Sequence, residues 1–127
     1  MKEEARTLPE KGYRALHAAE TLLRDGDYEF AAGRAYYAML HAAQALLREH
    51  DLRYRKHASV HAAFGQYYAK TGRLDPKFHG WLLDAFDDRI RGDYDVDVSF
   101  GRESIAMRIE QAREFLATAR QCLEGST

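Results

Sequence analysis

The chain has little of what sheets, turns and crosslinks require: 127 residues carry one cysteine, two prolines, nine glycines and only eleven Val, Ile and Thr together. A single thiol forms neither an internal disulfide nor a cysteine-rich metal site, which fits a reducing compartment. Cys122 itself is expected to be a small core residue. Scarce β-branched side chains argue against sheets and scarce Gly and Pro against frequent turns, so an all-β or Rossmann-type domain is excluded. Net charge is only -1, so no global field calls for nucleic acid. Residues 1–10 (MKEEARTLPE) are too polar for a secretion signal, and a cytoplasmic protein is expected. The longest apolar stretch, residues 30–47, has membrane-spanning length but carries Arg34, His41 and Gln44 among many Ala, Gly and Tyr. A helix buried on most sides explains it better.

What the chain does have is 20 Ala and 13 Leu, a balance that favours helices joined by short loops. Its length gives one domain, residues 1–127, burying roughly two-thirds of the unfolded surface. Thr7 and Glu10 are spaced as a capping box with Pro9 in the first turn, predicting a helix over 8–24 with Tyr13, Leu16, Ala19 and Leu23 inward. Asp25-Gly26-Asp27 reads as a stop and a new cap. The next helix, 28–50, carries a small-residue stripe of Ala31, Ala35, Ala38, Ala42 and Ala45 beside a bulkier one of Tyr36, Leu40, Ala43 and Leu47, and is expected to be central. A third helix is predicted over 57–70 with Val60, Phe64 and Tyr67 at helical spacing, ended by Thr71-Gly72. Asp75-Pro76 starts a fourth, whose inner stripe of Phe78, Leu82 and Ala85 continues into Arg89 until Gly92 stops it. Residues 94–98 read as an acidic loop. Ser99 then caps a fifth helix with Ile105, Ile109, Ala112, Leu116, Ala119 and Leu123 on a strict 3.6 period. The expected architecture is an all-α, up-and-down antiparallel bundle of four to five helices.

Charge is uneven within this frame: residues 48–57 are basic, and residues 84–97 hold six aspartates against two arginines. Arg89 sits where an apolar residue would continue the stripe, so its guanidinium needs partners. Asp93 lies four residues on, with Tyr94 following; the pair is either an ordinary intrahelical ion pair or part of a site. Arg34, the only charge in residues 30–47, shares a helix face with Tyr37 and His41. It either holds a carboxylate such as Asp93 or meets the phosphate of a nucleic acid. His57 and His61, four apart, have the spacing of two imidazoles on one metal, without a third ligand spaced to join them, and no metal or other cofactor is expected. Arg53, Tyr54, Arg55, Lys56 and His57 interleave cations with an aromatic, as phosphate contact and base stacking require. No nucleophile elbow, glycine-rich phosphate loop or zinc-protease spacing occurs.

Residues 32–43 (AGRAYYAMLHAA), Lys56-His57 and residues 89–94 (RIRGDY) together resemble HEPN-domain proteins over nearly the whole chain. The resemblance is to the small prokaryotic single-domain branch with an Arg-x-x-x-Asp-Tyr element, commonly found beside a minimal nucleotidyltransferase. It implies a bundle that dimerises and acts on RNA, in many members as a metal-independent endoribonuclease toxin. In such members an arginine and a histidine on a late helix meet their copies across the dimer. The arginine stabilises the phosphorane, and the histidine moves protons. Here the histidine is absent: His79 is the last in the chain. The resemblance therefore places catalysis on Arg89, Asp93 and Tyr94, with Arg34, Arg53, Arg55, Lys56 and His57 holding RNA. The alternative is a non-catalytic partner or adenylylation target of the nucleotidyltransferase, with Tyr94 accepting the nucleotide.

Overall fold

In a computed structural model, which describes residues 3–96 and 99–125, the described chain forms five α-helices and no strand. They are α1 (Glu3–Arg24), α2 (Tyr28–Arg48), α3 (His57–Phe64), α4 (Lys77–Tyr94) and α5 (Arg102–Glu124), and α3 runs on into a π-helical turn, Gly65–Ala69. The expected all-α bundle is present. Among the described residues no helix is long and apolar enough to cross a membrane.

The centre is α2, which packs against each of the other four helices. Its alanine stripe and its bulkier stripe are both fully buried, so it presents apolar surface on most sides, as its sequence predicts. The α5 stripe is also buried throughout, joined by Phe115, which lies outside the predicted stripe. Phe115 packs among Phe64 and Phe78, at centroid distances of 5.3 and 5.2 Å, tying α3 and α4 to α5. On α1, Leu16 and Ala19 are buried and Tyr13 and Leu23 partly so.

Several boundaries differ from the sequence prediction, each for a packing reason. Pro9 lies inside α1 rather than in its first turn; it and Leu8 are buried, and that burial offsets the hydrogen bond proline removes. Gly26 takes φ 78° as a left-handed helix terminator, with Asp27 N–H donating to Leu22 O, but Asp27 makes no side-chain cap of α2. The π turn widens the end of the third helix and puts Tyr68, not Tyr67, inward: Tyr68 stacks on Phe64 at 5.4 Å and donates its hydroxyl to Leu46 O at 2.8 Å. Asp75 Oδ1 accepts from Lys77 N–H at 2.9 Å at the start of α4, as the Asp-Pro pair implies. Gly92 does not stop α4. A Cβ there would stand 3.2 Å from Glu29 O and 3.3 Å from Phe100, so glycine instead lets α4 close on the start of α2. Tyr94 is consequently helical. α5 begins after Gly101, later than a Ser99 cap would place it. Asp97 and Val98 of the expected acidic loop lie outside the described residues. Cys122 is an exposed residue rather than a core one.

Candidate functional site

The apolar stripe of α4 does what its spacing requires: Phe78, Leu82 and Ala85 are buried, and Arg89 follows them against α2. The Arg89 stem passes over the backbone of Gly33, where a Cβ would lie 3.7 Å from its Cγ. Its guanidinium carbon stands 5.2 Å from the ring centre of Tyr37 and 5.9 Å from that of Tyr36. The side chain keeps 22% of its exposure. Asp93 Oδ2 meets Nε at 3.3 Å, one turn along the same helix. Among the described residues no carboxylate pairs with the two terminal nitrogens, so one edge of the guanidinium is left for an anion. The aromatic faces hold the cation in place without neutralising it.

Tyr36 is fully buried and donates its hydroxyl to His61 Nε2 at 2.7 Å. Burial pushes the Tyr36 phenol well above its ordinary range, despite Arg89, while burial, then His57 and His79, lower His61 to about 4. Both are neutral at physiological pH, which a buried phenol and imidazole sharing one proton require. His61 also stands edge-on to Phe86 at 4.8 Å, and its carbonyl accepts from His79 Nε2 at 3.1 Å. Its role is to hold Tyr36. The four-residue spacing of His57 and His61 therefore serves packing against Tyr36, to which His61 Nε2 is committed. Among the described residues no three His, Cys, Asp or Glu converge.

His57 opens α3 and arrives on the other part of the same aromatic pair, 5.8 Å from both Tyr36 and Tyr37 and edge-on to the latter at 84°. Burial, and then Arg89, lower its pKa, so the ring is held neutral. His41, one turn from Tyr37 on α2, lies 6.2 Å from that ring and donates Nδ1–H to Gln44 Oε1 at 3.1 Å. Burial is the main cause that lowers its pKa, outweighing the Gln44 bond. Arg34 is exposed, with its guanidinium carbon 5.6 Å from Tyr37. Tyr37 is thus ringed by two guanidiniums and two imidazoles drawn from three helices.

The structure therefore gathers Arg34, His57, Arg89 and Asp93, and it separates others from them. Arg34 does not hold Asp93, which pairs with Arg89 instead, and no acid pairs with Arg34 among the described residues. Tyr94 is 77% exposed at the end of α4. Arg53, Arg55 and Lys56 are exposed on the loop that leads into His57. A cavity of about 460 Å³ adjoins the cluster, walled by Tyr37, His41 and Arg34 of α2 and by Lys11, Arg14, Ala15 and Ala18 of α1. Lys11 and Arg14 are functional candidates that sequence reasoning misses. Their only signal there is a three-residue spacing shared by any solvated helix face.

The domain model named HEPN domain matches residues 5–124. A Methanocaldococcus jannaschii protein with the name "putative toxin" is 30% identical over 122 residues, covering 96% of this chain and 83% of the relative. A second protein of that name from the same organism is 31% identical over 124 residues, covering 98% and 92%. A UPF0332 protein of Gloeobacter violaceus is 31% identical over 124 residues, covering 97% and 98%. With the five-helix bundle in place and nearly every residue inside the match, the chain belongs to the HEPN family.

Proposed function

We propose that the protein is a toxin-type HEPN component that acts on RNA as a metal-independent endoribonuclease, working as a homodimer. The observation that carries this reading is the meeting of Arg89 and His57 on the Tyr36–Tyr37 rings. The histidine that the late helix lacks is supplied by the first residue of α3. Neutral and without a hydrogen-bond partner among the described residues, His57 is in the form a general base needs. It takes the proton of a ribose 2'-hydroxyl as that oxygen bonds to phosphorus. The bond from phosphorus to the 5'-oxygen breaks, and the leaving oxygen takes a proton from water. The products are a 2',3'-cyclic phosphate and a 5'-hydroxyl end. Arg89 presents its open edge to the charge that builds on the phosphoryl oxygens, and Asp93 orients it through Nε. Tyr94 keeps no part in this chemistry. Arg34 and the Arg53, Arg55 and Lys56 loop bind flanking phosphates.

Exposed Phe30, Tyr94 and Val96 support the dimer: they lie at the end of the α2–α4 pair that carries Arg89, and covering them with a second copy brings two such sites together. The test is incubation of purified protein with RNA in excess chelator. Arg89→Ala is expected to cut about 100-fold or more slowly than the parent; equal rates would show the site to be misplaced.

The exposure of Tyr94 supports a second reading, in which this phenol accepts a nucleotide from a minimal nucleotidyltransferase antitoxin. Mass analysis after incubation with such an enzyme and ATP tests it, and an unmodified Tyr94 argues against it.

A further inference from the structure

The cavity between α1 and α2 is lined by Lys11, Arg14 and Arg34, and no acidic residue stands on its wall. Among the described residues none of the three cations has a carboxylate partner, although the chain as a whole carries net charge -1. Three like charges around one concavity repel one another, and an anion seated between them turns that repulsion into attraction. Ala15 and Ala18 keep the floor clear of long side chains. Tyr37 and His41 form the far wall, and Tyr37 is the same ring that Arg89 and His57 approach from the other elements. The cavity and the Arg89–His57 cluster therefore share one side chain.

We infer that this cavity is a phosphate subsite for single-stranded RNA, seating a backbone phosphate of the strand that Tyr37 separates from the Arg89–His57 centre. The proposal rests on the RNA-directed reading above and adds Lys11 and Arg14 to it. The cavity's volume admits a phosphate with its sugar, and the open side lets the strand continue across the surface. Holding the neighbouring phosphate fixes the register of the strand, so that one linkage is presented to Arg89 while the bases are left unread.

Binding of a fluorescent single-stranded oligoribonucleotide, followed by anisotropy in chelator across a salt series, tests this without depending on cleavage. The Lys11→Ala/Arg14→Ala double variant is expected to bind roughly tenfold more weakly, and to lower the slope of log affinity against log salt by about 0.7 for each phosphate it no longer neutralises. Lys70→Ala, an exposed cation at the far end of the π turn, controls for unspecific charge and is expected to bind as the parent does. Thermal melting confirms that the double variant is folded. Equal binding by the double variant and the parent overturns the inference, as does an absence of RNA binding by the parent at low salt. Displacement of the RNA by micromolar ATP also overturns it, by assigning the cavity to a free nucleotide. RNA held through Lys11 and Arg14 but never cut would sustain the subsite while refuting the nuclease. Cutting at the parental rate by a double variant with parental affinity would do the reverse.

Discussion

Acidification is expected to weaken this fold through His61. The ring is buried, accepts from the Tyr36 hydroxyl at 2.7 Å, and has its pKa lowered from 6.5 to about 4, chiefly by burial. In the unfolded chain the same ring titrates near its ordinary value. Between pH 6.5 and 4 the unfolded state therefore binds more protons than the folded one, and stability rises with pH across that window. Full stability is present above 6.5 and is lost progressively as pH falls toward 4. One pH unit corresponds to about 1.4 kcal/mol, so moving down to pH ~4.5 removes about 2 to 3 kcal/mol through this group. Carboxylates titrate in the same range, so a comparator is needed. His61→Gln keeps an acceptor for Tyr36 but does not titrate. Urea unfolding followed by circular dichroism at pH ~7 and ~4.5, on parent and variant, isolates the difference. The parent should lose about 2 to 3 kcal/mol more than His61→Gln on acidification. Equal losses by the two proteins would refute the linkage between burial of this ring and stability.

Tyr36→Phe leaves His61 Nε2 buried without a donor and is expected to destabilise the protein by about 1 to 3 kcal/mol in urea unfolding at neutral pH; an unchanged midpoint would contradict the hydrogen bond. Asp88 is buried and takes Arg108 Nε at 2.7 Å, linking α4 to α5. Asp88→Ala removes this short contact but leaves Arg108 with Gln111 Oε1 at 3.1 Å and Asp84 at 3.9 Å, and should cost about 2 kcal/mol, whereas a loss under about 1 kcal/mol would place the pair among ordinary surface contacts. Phe30→Asp replaces an exposed aromatic near the start of α2 with a charge and, on the homodimer reading proposed above, should shift the dimer to monomer by light scattering, with helicity unchanged. A variant still dimeric at the parental concentration would move the interface elsewhere.

The helical faces are readable in the sequence because burial repeats with the helix. The alanine stripe of α2 and the α5 stripe are buried at the positions their spacing gives, and Arg89 is visible as the one charged residue continuing an apolar stripe. What periodicity does not encode is which residues of different helices meet. His57 and Arg89 are far apart in the chain and come together only because α3 and α4 both pack on α2, so in sequence His57 reads as part of a basic loop. For the same reason the acceptor of Arg34 is not legible in sequence: Asp93 pairs with Arg89 instead, and Arg34 lies on the narrow strip of α2 that reaches solvent. The π turn, Pro9 inside α1 and Gly92 inside α4 each set a tertiary contact above a local rule, and such contacts outweigh propensities of about 1 to 3 kcal/mol. Residue type alone would assign Cys122 to the core; it neighbours buried Leu123, but its own position on the helix turns it outward.

In the proposed reaction an imidazole from α3 serves the arginine of α4. The most direct test is the first-order rate of RNA cleavage in excess chelator by His57→Ala beside the parent, with product ends identified. Expected are 2',3'-cyclic phosphate ends from the parent and a rate about 100-fold or more lower for His57→Ala, without loss of RNA affinity on that scale. A His57→Ala protein that cuts as fast as the parent would contradict it.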